Sequence, residues 1–511
     1  MEFPPPVLFV LISSFNFPSF SASFRSCSCR CFEELAKMHI SPSHLLLASL
    51  PLAHAQETLL GLFIFHRHGD RTSKSFVPTT LTDLGYAQVH QSGSFFRDRY
   101  VDSNATSPIF GISSSVVKNS QLKVEAPVDT VLQNSAVGFL QGLYPPVGAG
   151  VESQSLANGS RVLPPLGGYQ LIPVNSVASA SSGANSENSA WLQGQSGCGK
   201  AMVSSNNYFY SDEYFSKLNA TTPFYQSIFP VINRTFTSAA NTYFNAYSIY
   251  DLIHVSLIHN TTIPSSSLLT PPTIHQLRTL ADTHEFNLAY NASDPIRAIA
   301  GRTLAAQIVQ NLNATLTSKS KTPLTIQFGA YASFLSFFGL AQLDRVSENF
   351  TGVVDYASSM VFEVVTNATV SETSYPSVED VSVRFLFANG SAYENPLNEY
   401  PLFGGTSATI PWRTFTDEMS KFAIGDQESW CRECGNSTGV CAPVSEGVTA
   451  QSGEMRGKKE GVSRVVAGVI GAMVTLAVVL GVEGLILLVG GLRVVRKRGE
   501  SGLASEGGVK A

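Results

Sequence analysis

Charged side chains are scarce in this chain. Asp, Glu, Lys and Arg supply 14% of its 511 residues and the formal net charge is only -5. No sustained basic face exists to neutralise a polyanion, which excludes nucleic acid as a partner. Cysteine is scarce too, seven in all. Cys27, Cys29 and Cys31 crowd one segment with no fourth ligand at sensible spacing, so they make a poor metal site. Cys198, Cys431, Cys434 and Cys441 remain, an even number consistent with two disulfides in any of three connectivities. Cys431-x-x-Cys434 has no second paired motif and no thioredoxin-like context, which argues against zinc and redox roles. His254, His259, His275 and His284 are too dispersed to imply a metal and read as ordinary buried or surface histidines. No cofactor and no metal is called for.

Long apolar runs are few, and their placement is informative. Residues 464–492 are almost wholly apolar, with Glu483 the sole charge between Arg464 and Arg493, long enough for a transmembrane helix. Arg493, Arg496, Lys497 and Arg498 follow it, as the cytoplasmic side requires. Near the other end, residues 45–52 and Ala53-His54-Ala55 have the short apolar core and small-x-small ending of a secretory signal, with cleavage expected before Gln56 and Met38 the expected true start. Eleven Asn-x-Ser/Thr acceptors, from Asn104 to Asn436, lie between signal and span and none in the tail, the pattern of a glycosylated lumenal surface. The expected organisation is a leader at 1–55 and an ectodomain at 56–444 with an inserted helical subdomain around 175–300. A stalk at 445–463, the membrane helix at 464–492 and a cytoplasmic tail at 493–511 complete it. The protein is expected to be a single-pass type I membrane protein.

The densest chemistry follows the first apolar run of the ectodomain. Leu62, Phe63, Ile64 and Phe65 read as a buried strand that delivers Arg67-His68-Gly69-Asp70-Arg71-Thr72 at its carboxyl end, where open α/β sheets place their sites. A neutral imidazole can attack phosphorus and form a phosphohistidine, which makes His68 the candidate nucleophile. Arg67 and Arg71 offer planar forks of N–H donors that match phosphate oxygens. Gly69 lets backbone N–H groups approach the same anion. Asp70 and Lys74 are the adjacent charged side chains.

Phe65-His66-Arg67-His68-Gly69-Asp70-Arg71-Thr72 resembles the signature of the histidine acid phosphatases, the phytase and prostatic-type branch of the histidine phosphatase superfamily. Two further blocks are similar to it: Leu81-Thr82-Asp83-Leu84-Gly85-Tyr86-Ala87-Gln88, and Ser135-Ala136 with Phe139-Leu140-Gln141-Gly142-Leu143-Tyr144-Pro145-Pro146. The resemblance implies an α/β fold with a central, mostly parallel sheet flanked by helices, a smaller inserted helical domain, and hydrolysis of phosphomonoesters at acidic pH.

Two positions depart from the family pattern. Members carry a phosphate-binding arginine shortly before the Ser-Ala pair, but residues 129–135 read Asp-Thr-Val-Leu-Gln-Asn-Ser. Members also carry a His-Asp or His-Glu pair after a late core strand, and after Leu324-Thr325-Ile326-Gln327-Phe328-Gly329 this chain has Ala330-Tyr331. With a phenol pKa of about 10, Tyr331 by itself is a weak proton donor at low pH. General acid assistance is typically worth about 10² to 10⁴ in rate, so leaving groups that need no proton would suffer least. The expected function is therefore a membrane-anchored phosphomonoester hydrolase acting through His68. The alternative is a catalytically impaired homologue that serves as a cell-surface binding protein.

Overall fold

The computed structural model describes residues 57–148, 151, 153–177, 197–438 and 441–442. The expected signal, stalk, membrane helix and tail lie outside them. Among the described residues no helix is long and apolar enough to cross a membrane.

The apolar run of the sequence becomes strand β1 (Thr58–Arg67), buried from Leu59 onward. From Leu62 its side chains alternate between two cores: Leu62 and Ile64 enter one, Phe63 and Phe65 the other. A strand covered on both faces needs no polar alternation, and each fully buried Phe or Leu contributes about 1.5–3 kcal/mol.

Strand β1 lies in the middle of the main sheet. The others are β2 (Leu122–Pro127), β3 (Asn175–Val177), β4 (Leu324–Gly329), β5 (Ser359–Thr366), β6 (Val381–Ala388), β7 (Asn398–Glu399) and β8 (Thr409–Pro411). Their order is β8-β6-β5-β1-β4-β2-β3, with β7 on β6. On one side of β1 all pairings are parallel, with Arg67 opposite Gly329. On the other side all are antiparallel. The expected α/β sheet is present with its parallel half on one side of β1, and it is mixed because the other half is antiparallel. The physical reason is connectivity: parallel neighbours need a long crossover, whereas β5 and β6 are joined through residues 367–380 without one.

Helices α1 (Asp83–Phe96) and α2 (Thr130–Leu143) cover one face through Val89, Phe96, Ala136 and Phe139. Between β3 and β4 run α3 (Gly199–Asn206), α4 (Asp212–Ile232), α5 (Ala246–His259), α6 (Pro271–Ala289) and α7 (Ile299–Thr317). Helix α8 (Tyr331–Leu340) follows β4 directly. Tyr225, Ile249, Ile253, Leu304, Phe334 and Phe337 from these helices share one core with Phe63 and Phe65. Helices α9 (Trp412–Ser420) and α10 (Gln427–Cys434) close the described chain.

Two disulfides resolve the cysteine count. Cys198 pairs with Cys434 and Cys431 with Cys441, so the Cys-x-x-Cys residues belong to different bridges. The first bridge spans 236 residues of sequence and ties the start of α3 to the end of α10. Cys198→Ser is expected to lower the free energy of unfolding by about 2–4 kcal/mol, read as an earlier urea midpoint under oxidising conditions.

His66 is fully buried against Phe139 and Phe328, with Nε2 2.8 Å from Oγ of Ser92 on α1. Burial holds its pKa down at about 4, although the Arg67 carbonyl on Nδ1 opposes this. The unfolded imidazole takes its proton near pH 6.5, so below that pH the unfolded chain binds more protons and stability falls. His66 alone should remove about 3 kcal/mol between pH 7 and pH 4. Urea titrations across that range check it, and His66→Gln should flatten the slope.

Candidate active site

Residues 67–74 leave the carboxyl end of β1 and are clamped from three sides. The Arg67 N–H donates to the Ser358 carbonyl (2.8 Å), and the Ala357 N–H donates to the His68 carbonyl (2.9 Å). The Gly69 N–H donates to Oγ of Ser135 on α2 (3.3 Å), and the Asp70 N–H to Oε1 of Gln88 on α1 (2.8 Å). Thr82, the N-cap of α1, accepts from the Gly85 N–H and donates to the Asp70 carboxylate. Gly69 and Gly85 meet back to back: a Cβ on Gly69 would lie 2.2 Å from the Gly85 carbonyl oxygen, and one on Gly85 2.0 Å from that of Asp70. Neither position has room for any other residue.

His68 is 1% exposed. Its Nδ1 lies 2.7 Å from the Gly69 carbonyl oxygen, an acceptor, so Nδ1 carries the hydrogen and Nε2 the lone pair. Burial, and then the positive charges of Arg67 and Arg71, hold its pKa well below the ordinary value. The imidazole is therefore neutral, as a nucleophile must be.

Both arginines are buried beside it. Arg67 donates from Nη1 to the Val354 carbonyl, and its Cζ lies 4.7 Å from the Tyr356 ring. Arg71 donates from Nη2 to Oδ1 of Asp251 (2.9 Å) and to the Tyr247 hydroxyl (3.3 Å), and from Nη1 to the Thr72 carbonyl (2.9 Å). The Tyr356 ring touches all three groups, 5.7 Å from the His68 ring and 6.0 Å from Cζ of Arg71. Nε of Arg67 and Nε of Arg71 are buried with no hydrogen-bond partner. An unsatisfied buried donor on a cation costs several kcal/mol unless something fills it, and an anion would fill both.

Helix α5 supplies the opposite wall. Tyr247, Asp251 and His254 recur at i, i+4 and i+7, one face of a helix. Asp251 also accepts from the Ser73 hydroxyl and the Lys74 N–H, each at 2.8 Å. Burial alone would raise its carboxyl, but Arg71 and these donors hold it below the usual range. Nε2 of His259, at the end of α5, lies 2.6 Å from Oδ2 of Asp70. Lys74 brings Nζ to 5.4 Å from the Tyr331 ring and 5.7 Å from that of Tyr247.

The structure thus gathers Arg67, His68, Arg71 and Lys74 in one place, with Tyr331 at the end of β4. His254 and His259 both stand on the α5 wall, His254 6.0 Å from the Tyr356 ring and His259 against Asp70. Sequence reasoning missed Tyr247, Asp251 and Tyr356. The polar i, i+4, i+7 stripe in an otherwise apolar α5 was the available signal. At the departing positions, the first turn of α2 carries no arginine, and Gln133 turns back to the Ala126 and Pro127 carbonyls. Ala330 is the N-cap of α8.

The family model described as histidine phosphatase superfamily (branch 2) matches residues 77–388, more than half of the chain, beginning just beyond the Arg67–Ser73 turn. The chain belongs to this superfamily. Its chemistry is phosphatase-type hydrolysis. No curated protein matches the sequence. Solved structures with a similar path include the Hafnia alvei phytase, at 12% identity and TM-score 0.47, covering 74% of this chain and 98% of the phytase. The Citrobacter braakii phytase stands at 12% and 0.48, covering 74% and 99%. The Bifidobacterium longum multiple inositol polyphosphate phosphatase, in complex with inositol hexasulfate, stands at 10% and 0.44, covering 76% and 98%.

Proposed function

We propose that this histidine phosphatase superfamily member hydrolyses phosphomonoesters through a phosphohistidine on Nε2 of His68, with Arg67 and Arg71 holding the phosphoryl oxygens. The observation that carries the reading is the pair of buried, partnerless Nε–H donors beside a neutral imidazole whose free lone pair is on Nε2. Guanidinium donors fixed before the reaction stabilise the charge that spreads over phosphoryl oxygens as the bond to the leaving group breaks. The nucleophile divides one hard displacement into two easier ones.

The charge inventory bears on the substrate. Asp251 matches the charge of Arg71, and Asp282 and Asp355 face Arg278 at 3.5 and 2.6 Å. So few uncompensated cations among the described residues favour an ester with one phosphate. The cavity bounded by Arg67, Tyr247, Asp251, His254 and Tyr356 measures about 20 Å³, room for about one water. The signal, the sequons and the apolar run at 464–492 support a glycosylated ectodomain in the secretory lumen or outside the cell, anchored by one helix.

The test is hydrolysis of p-nitrophenyl phosphate by the purified full chain from pH 3 to 8, with alkaline quenching and mass spectrometry of the peptide bearing His68. A phosphorylated His68 during turnover supports the reading. Turnover without it, or no turnover of so undemanding a substrate, defeats it and leaves an anion-binding protein.

A further inference from the structure

Tyr331 stands two residues beyond Gly329, as Gly69 stands two beyond Arg67, on paired parallel strands. Its ring lies 5.5 Å from Cζ of Arg67 and 5.4 Å from Nζ of Lys74, and packs on the Tyr247 ring at 4.9 Å. Its hydroxyl is 2.6 Å from Oε2 of Glu285 on α6. The other oxygen of that carboxyl, Oε1, lies 2.8 Å from Nδ1 of His284, whose Nε2 is buried with no hydrogen-bond partner. The Glu285 side chain is 13% exposed. A phenol needs only a neutral acceptor when buried, and a backbone carbonyl would serve. Withdrawing a carboxyl from water costs considerably more. Here a carboxyl is nevertheless brought to a tyrosine whose ring flanks the phosphate-side arginine.

We propose that Tyr331 gives the leaving group its proton and that Glu285 supplies that proton through Tyr331. The inference rests on the phosphomonoesterase reading above. In the reacting form the Glu285 carboxylic acid donates to the Tyr331 oxygen across the short contact, and the phenol hydrogen turns towards the substrate. As Nε2 of His68 bonds to phosphorus, the bond from phosphorus to the leaving oxygen breaks and its electron pair stays on that oxygen. The phenol proton passes to it while the Glu285 proton replaces the one lost. Glu285 ends this half-reaction as a carboxylate. When water attacks the phosphohistidine, the P–N bond breaks, its pair returns to Nε2, and a water proton travels back through Tyr331 to Glu285. Water is the sole co-reactant. Arg67 and Lys74 beside the ring favour the negative charge that gathers on the phenol oxygen during each transfer. Tyr331 is then a catalytic residue, and it draws on a stronger acid than its own hydroxyl.

The experiment compares kcat/KM on p-nitrophenyl phosphate, whose leaving group needs no proton, with that on 2-glycerophosphate, whose leaving group does. The full chain is used as wild type, Tyr331→Phe and Glu285→Gln. Tyr331→Phe is expected to lose about 10² to 10⁴ on glycerophosphate and less than about threefold on the nitrophenyl ester. Glu285→Gln keeps a hydrogen-bonding partner for the phenol but no acidic proton, and is expected to show the same split. Equal losses on both substrates would mean that the pair merely holds the site, and unchanged glycerophosphate turnover would mean that it does nothing. Either overturns the proposal while His68 chemistry survives. A wild type inactive on both esters overturns the phosphomonoesterase reading instead.

Discussion

The His68→Ala variant is expected to hydrolyse p-nitrophenyl phosphate at least about 10⁴-fold more slowly than wild type, at unchanged fold. Removing a covalent nucleophile abolishes the two-step path, and what survives is the electrostatic contribution of the remaining donors. Leu62 and Phe65 do not depend on this side chain, so the sheet should persist in circular dichroism. Alanine should also raise the pH stability of the acid limb, because the unfolded imidazole is protonated below about pH 6.5 whereas burial and two arginines keep the native one neutral. Wild-type activity should therefore show no loss of nucleophile on moving from pH 7 to pH 5, since His68 titrates well below its ordinary value. Steady-state rates from pH 3 to 8 measure both claims. A residual rate in the alanine variant within tenfold of wild type would remove His68 from the mechanism.

Asp251→Ala is expected to cost about 3–5 kcal/mol of folding stability, an effect out of scale for one carboxylate. Arg71 is fully buried, and Asp251 is its sole anionic partner among the described residues. Deleting that partner leaves a charge without compensation in a dry interior. The same carboxylate holds the Ser73 hydroxyl and the Lys74 N–H, so the loop after the nucleophile loses its anchor to α5 as well. Urea unfolding provides the measurement. The double variant Arg71→Met/Asp251→Leu should recover most of the loss, because well-packed apolar groups can replace a buried pair at little cost. Additive losses in the double variant would show that the pair is not coupled.

What could be read in advance was whatever depends on near neighbours in sequence. The run Leu62 to Phe65, the turn at Arg67 to Arg71 and the strand ending at Gly329 needed only local hydrophobic pattern and punctuation. The Ala330-Tyr331 departure was legible for the same reason, since both residues directly follow a recognisable strand. Asp251 was not, because its partner Arg71 is 180 residues away, and the polar stripe on α5 marks a face without saying what the aspartate on it pairs with. Tyr356 escaped because loops announce themselves by composition but not by what they fold over. The antiparallel half of the sheet escaped for another reason: β5 is buried throughout, as a parallel strand would be, and only the first four residues of β6 alternate.

The contact between Gly69 and Gly85 has a consequence for inheritance. Gly69 excludes a side chain on account of the Gly85 backbone and Gly85 on account of the Asp70 backbone, so neither can drift while the two segments remain pressed together. A lineage that gave up phosphoryl transfer would be free to replace His68 but would still need both glycines to keep α1 seated on the turn. Retention of the glycine pair in a descendant would then record the ancestry of the fold, and only the imidazole between Arg67 and Gly69 would record whether the chemistry was kept.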